Sequence, residues 1–332
     1  MAFPNIVTDP TSVDPTSVEG STIHIASPPF DDPQADVIIR TSDHVEFRIF
    51  RLILKMASTV FADILALPVA PDADPNAIDV TEDSVVWDHI LRICHPGIAP
   101  PAMIAADQLW PLLEAAKKYD MKAVRETAVR EMSTPRMLEQ ETLRVYALAC
   151  GYGVEDVAVA AARASLTQSY EEGPYVPELR CATSAAYFRL VQYRRECVKA
   201  AVSFAEDPHL FLQDGWKDYV KYWILRREHV SEQHDDGCSS GGNFALDSWE
   251  WGNGLLRDVL VEYMARSTEA LKVLPHGSTV LNPIFIATTV HAASKCTACR
   301  SRTQPSDVLA FLKFHASQID AATAKVKLVV AS

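Results

Sequence analysis

Long basic runs are missing from this sequence. Its 31 Lys and Arg stand against 43 Asp and Glu, a formal net charge of −12, and the doublets Lys117-Lys118, Arg194-Arg195 and Arg226-Arg227 stand isolated. A phosphate-binding surface needs clustered cations, so direct nucleic-acid binding is not expected and the doublets read as solvated helix faces. No apolar run reaches the ~20 residues that span a bilayer. The first residues lack the basic and apolar regions of a secretory signal, and no Asn-x-Ser/Thr sequon occurs. The expectation is an intracellular chain, cytoplasmic or nuclear, with no membrane partner. Phosphate-loop, Rossmann, HExxH and kinase signatures are absent too. What is present is apolar: 48% hydrophobic residues in 332, enough for a sizeable core in about two domains.

Residues 1–34 hold six prolines and five acids, with no Lys or Arg. Asp9-Pro10-Thr11-Ser12-Val13 repeats at once as Asp14-Pro15-Thr16-Ser17-Val18. Such a segment buries too little apolar surface to offset its ordering entropy, so it reads as a disordered tail, a spacer or a docking peptide.

From Ala35 to Met132 the pattern is dense. Val37, Ile39, Val45, Phe47 and Ile49 alternate at period two around Thr41-Ser42-Asp43-His44, which predicts a hairpin with one buried face. Leu52, Leu54, Met56, Val60, Phe61, Ile64, Leu65 and Leu67 fit helical spacing, with Ser58 as a cap between two short helices. A short strand is expected at Ala77-Ile78-Asp79-Val80. A helix follows with Val85, Ile90, Leu91 and Cys94 on its apolar side and Trp87 on its flank. Leu109, Leu112, Leu113 and Ala116 share a face of the next helix, and Met121, Val124 and Ala128 continue it.

The order hairpin, two short helices, strand, helix, helix pair resembles a BTB/POZ domain. "ADVIIRTSDHVEFRIFRLILKMASTVFADILAL", "IDVTEDSVVWDHILRICHP" and "LLEAAKKYDMKAV" look like the variety common in mushroom-forming (basidiomycete) fungi. The His-Lys pair that many such domains carry after the second strand stands here as Phe50-Arg51, and a Pro- and Ala-rich segment, Gly97 to Ala106, replaces a further strand. The resemblance implies a homodimer that binds other proteins, as an adaptor for a cullin-3 ubiquitin ligase or as a cullin-independent scaffold or transcription-linked oligomeriser. It also implies an acid and a base, Asp36 and Arg51, near the two-fold interface.

Helices resume after Ser133-Thr134-Pro135. Leu143, Ala147 and Cys150 mark one; Val154, Val157, Ala158, Ala161, Ala162 and Leu166 mark the next, after a Gly151-Tyr152-Gly153 turn. This pair resembles the helical extension that often follows a BTB fold. Gly173-Pro174-Tyr175-Val176-Pro177 is a second break. The next helix, about Ser184 to Ala205, offers Phe188, Val191, Cys197, Val198 and Ala201 for burial, with Arg189, Arg194, Arg195 and Lys199 among them. Trp216, Trp223, Trp249 and Trp251 suggest a small aromatic core. A last helix is expected from Pro305 to Val330, with Val308, Leu309, Leu312, Ala316 and Ile319 on one face.

Two constellations elsewhere bear on chemistry. Gly237-Cys238-Ser239-Ser240-Gly241 matches G-x-S-x-G, but His234-Asp235-Asp236 before it and Gly242-Asn243 after it are not the strand and helix of a nucleophile elbow. An enzyme using C-terminal Cys, Ser and His residues is therefore a remote alternative. Cys296-Thr297-Ala298-Cys299 has the spacing to hold one tetrahedral metal, with Cys238 as third ligand and His291, His276 or His234 as fourth. A redox pair beside Arg300 and Arg302, and plain thiols, are the other two readings. The seven cysteines are dispersed and odd in number, and Cys94, Cys150 and Cys197 fall on apolar helical faces as small core residues.

The sequence thus predicts an α+β protein, mostly α. Residues 1–34 are a tail, 35–134 a BTB/POZ-like domain, 135–170 a helical extension, and 171–332 a helical C-terminal domain with the Trp cluster and the C-x-x-C. The expected role is protein binding, without catalysis; the only cofactor in view is a structural zinc.

Overall fold

The computed structural model describes residues 23–68, 74, 76–169, 175–207, 225–227, 245–246, 254–256, 258–301 and 304–329. The chain forms two compact units: residues 1–104 with 111–127, and residues 105–110 with 128–332. The fold is α+β and mostly α, as expected. Among the described residues, no helix is long and apolar enough to cross a membrane.

In the first unit, β1 (His24–Ile25), β2 (Val37–Arg40), β3 (Val45–Ile49) and β4 (Ala77–Asp79) form a sheet in the order β1-β3-β2-β4. Strands β2 and β3 are the expected hairpin, antiparallel with Ile39 opposite Phe47; β1 and β4 lie parallel to their neighbours. The period-two pattern does its work here: Val37, Ile39, Phe47 and Ile49 are buried. Arg40 ties the strands on the other face through Glu46 (2.9 Å) and Asp79 (3.3 Å). His44 takes the positive φ of the turn.

The tail is shorter than expected. Residues 23–34 belong to this unit, because the Ala26 N–H reaches Glu46 O (2.9 Å) and the Arg48 N–H reaches Phe30 O (2.9 Å). Phe30 is buried, its ring 5.9 Å from that of Phe47 with Arg92 over its face. Composition weighed against this segment; one aromatic and a free strand edge outweigh it.

The helices of this unit are α1 (Arg51–Ala57), α2 (Thr59–Ile64), α3 (Ser84–Cys94) and, toward its end, α4 (Leu109–Lys118) and α5 (Lys122–Met132). Their core is aromatic: Phe61 stacks on Tyr119 at 4.8 Å, and Trp87 meets both rings at 5.8 and 5.6 Å. The phase of α3 differs from the expectation. Val86, Trp87, Ile90 and Leu91 are buried while Val85 is exposed, so Trp87 is a core residue rather than a flank.

In the second unit, α6 (Pro135–Gln140), α7 (Thr142–Gly151) and α8 (Glu155–Ala164) precede the long α9 (Ser184–Glu206). Both glycines of the α7–α8 turn are required. A Cβ on Gly151 would sit 2.7 Å from Cys181 O, and Gly153 has φ +67. No boundary falls at residue 170. The Tyr146 hydroxyl donates to Ala186 O (2.9 Å), Arg144 pairs with buried Glu178 (2.9 Å), and Arg194 donates to Ser165 O and Gln168 O. Polar side chains thus carry the packing across the Gly/Pro break.

Beyond α9 come α10 (Asp258–Val273), α11 (Pro283–Ala293), the single turn α12 (Thr297–Arg300) and α13 (Pro305–Ala324). Three short strands that were not expected, β5 (Leu225–Arg227), β6 (Ala245–Leu246) and β7 (Gly254–Leu256), pair antiparallel in the order β5-β7-β6. The helical core joins Ala201 and Ala205 of α9, Leu260, Tyr263 and Leu271 of α10, and Val308, Phe311, Leu312 and Ile319 of α13. His315 is wholly buried in this core, its Nδ1 2.5 Å from the Tyr263 hydroxyl and its ring stacked against Phe204 and Phe311. The expected zone of Trp216, Trp223, Trp249 and Trp251 lies outside the described residues.

Candidate interaction surface

The surface of the first unit is built outward from a few capped helix ends. Helix α1 starts without a side-chain cap, because Phe50 occupies its N-cap. Asp36, just before β2, supplies the missing acceptor: its Oδ1 takes the Arg51 N–H at 2.6 Å. The other carboxylate oxygen is 3.8 Å from the Arg51 guanidinium, which also donates to Leu65 O (3.3 Å). The structure therefore brings Asp36 and Arg51 together within the chain. In the single chain, however, the pair is exposed, at 36% for Arg51 and 55% for Asp36. Such an ion pair contributes under about 1 kcal/mol. The N–H cap matters more, so Asp36→Ala is expected to cost about 1 kcal/mol and Asp36→Asn much less. Urea midpoints of the two variants against Arg51→Ala check this ranking.

Ser58 holds the α1–α2 corner. It is buried, accepts the Phe61 N–H (3.0 Å) as the N-cap of α2, and donates to Tyr119 O. Its own N–H reaches Leu54 O (3.0 Å). One residue thus ends one helix with its N–H, and with its hydroxyl starts the next and ties the corner to the end of α4. Asp43 does the same for the hairpin, accepting from Thr41 (2.6 Å) and from the Ser84 N–H (2.9 Å) and hydroxyl (2.6 Å). Burial acts to raise the Asp43 carboxyl, and these hydrogen bonds outweigh it, leaving it below the usual range. Glu82 follows the same balance. Burial raises it, the Tyr119 hydroxyl (2.8 Å) and Lys118 (3.0 Å) lower it, and the net direction is down.

What this framework presents is an apolar face. Leu52 and Met56, one turn apart on α1, are 67% and 80% exposed, while Leu54 between them is buried. Phe50, Ile64 and Leu67 are exposed as well. The sequence reading grouped Leu52, Leu54 and Met56 as one helical set; the structure divides them between core and solvent. Exposed apolar side chains that share a helix face are the mark of an interaction site.

The other expected sites fall largely outside the described residues. Cys296 is buried ahead of α12, Cys238 and the side chain of Cys299 lie outside the described residues, and so does the Gly237–Gly241 run. His276 accepts the Ser278 N–H (3.1 Å), and His291 sits exposed on α11. Among the described residues, no three His, Cys, Asp or Glu are grouped to hold a metal ion. Of the thiols expected in the core, Cys197 is buried while Cys94 and Cys150 are half-buried; burial still pushes Cys94 up to about 11 and raises Cys150 and Cys197.

A family model for the BTB/POZ domain matches residues 30–135. The match begins at buried Phe30 and takes in the hairpin, the Ser58 corner, the aromatic core and α5. Among curated proteins, none matches the chain.

Proposed function

We propose that the protein is a homodimerising adaptor, with the BTB/POZ domain of residues 30–135 as its protein-interaction module. The observation that carries this reading is the exposed face of α1. Leu52 and Met56 face water in the isolated chain, and a second copy placed against them would bury both. Asp36 and Arg51 stand at the same end of α1, so they would lie at or beside the two-fold contact. The C-terminal helices would then hold the proteins that the dimer brings together.

The fuller reading is recruitment of targets to a cullin-3 ubiquitin ligase, by a chain of the fungal variety that its sequence resembles. A cullin-independent scaffold or transcription-linked oligomeriser is the second reading. It is favoured by the segment after α3, where residues 95–105 follow an irregular path in place of a strand. Replacing Leu52 and Met56 by Glu is expected to halve the sedimentation mass with the helical circular dichroism intact. Retention of the wild-type mass by this variant refutes α1 as the contact. Co-precipitation with cullin-3 separates the two fuller readings: capture supports the ligase adaptor, and its absence with a stable dimer supports the scaffold.

A further inference from the structure

Helix α9 carries two apolar stripes. Leu190, Tyr193, Cys197, Ala201 and Ala205 form the buried one. The other starts at exposed Tyr187, steps through Val191 and Val198 at helical spacing, and is interleaved with Arg194, Arg195 and Lys199. These six side chains line one side of a groove of about 550 Å³, and Lys272 and Val273 at the end of α10 line another.

Among the described residues the lining holds Tyr187, three valines and Ser169, four cations and no acid. That stands out in a chain with a net charge of −12. Arg194 is fixed by its bonds to Ser165 O and Gln168 O, which hold its charge at the rim. Lys199 and Lys272 are neutralised from outside the groove by Glu196 (2.8 Å) and Glu269 (2.5 Å), exposed pairs that a stronger anion can displace. Arg195 is exposed and makes no ion pair among the described residues. Apolar and cationic side chains alternating along one helix are complementary to one kind of occupant, an amphipathic segment that alternates acidic and aliphatic residues.

We infer that this groove docks an acidic amphipathic helix of a partner protein. The inference rests on the reading of this chain as an adaptor and adds the chemistry of what it carries. A nucleic acid fits less well, because its phosphates would leave Val191, Val198 and Val273 uncovered.

The test uses the full chain and a fluorescein-labelled helical peptide, about four turns long, in which Glu and Leu recur at i and i+4. Its counterpart has Lys for Glu. The first peptide is expected to bind and the second not. Affinity is expected to fall at least roughly tenfold in Arg195→Glu/Lys199→Glu, and again between roughly 50 and 500 mM salt. Equal binding by wild type and variant overturns the inference, as does no binding at all. A drop in oligomer mass in the charge-reversal variant makes a second copy the occupant, with the same consequence. The mass of Leu52→Glu/Met56→Glu reads the dimer separately, so failure of one proposal is distinguishable from failure of the other.

Discussion

Trp87→Ala is expected to remove ~3–5 kcal/mol from the N-terminal unit, the range for deleting a wholly buried aromatic. Single domains hold only ~5–15 kcal/mol in total, so the variant should sit near its unfolding limit at room temperature. The cause is specific. Trp87 meets both Phe61 and Tyr119, and those rings join α2, α3 and the end of α4. Its indole Nε1 has no hydrogen-bond partner among the described residues. Trp87→Phe should therefore cost clearly less than the alanine change, because it removes volume but also an unpartnered buried donor. Because the chain has two units, hydrogen exchange during urea unfolding is the suitable measurement, read separately over α3 and α13. Loss of protection confined to the first unit is expected. Equal losses for Phe and Ala would mean that neither the retained ring nor the removed donor matters, and would contradict this account.

Acid should attack the second unit first through His315. Burial drives its imidazole down from the ordinary value near 6.5 to about 3. The sign follows from linkage. The folded state keeps this ring neutral, while the unfolded chain takes up a proton once the pH falls below about 6.5. Stability is fully present above that pH and is lost progressively as the pH drops toward 3, by up to roughly 4 kcal/mol. Carboxylates titrate in part of this range, so the informative quantity is the difference from His315→Gln. Gln keeps an acceptor for the Tyr263 hydroxyl and has no proton to gain. The variant should be less stable at pH 7, through imperfect packing against Phe204 and Phe311. Its stability should fall less steeply between pH 6.5 and 4. Parallel curves for the two proteins would show that His315 is not the acid-sensitive group.

The parts of this fold that the sequence made legible are those where one periodicity dominates. The hairpin is one: Val37, Ile39, Phe47 and Ile49 point inward because alternation leaves no other solution. The Ser58 corner is another, since a hydroxyl between two apolar helical runs has a capping role close at hand. Helices with two apolar stripes misled. In α9 the sequence points to Phe188, Val191, Cys197, Val198 and Ala201; Cys197 and Ala201 are buried, but Phe188 is 59% exposed, and the core also takes Leu190, Tyr193 and Ala205. Val191 and Val198 line the groove instead of the core. Met56 and Leu52 tell the same story on α1. Apolar residues kept for a partner look, in sequence, like apolar residues kept for the core. His315 left no signal at all; a lone histidine on an apolar helix needs the Tyr263 hydroxyl, more than fifty residues away in sequence, to explain it.

The central claim is that residues 30–135 assemble this chain with a second copy of itself. Light scattering of the full-length protein across a concentration series addresses it most directly. The account predicts twice the chain mass of 36.6 kDa, held constant on dilution. A mass equal to one chain at every concentration would contradict it, and the exposed face of α1 would then have to serve a different protein.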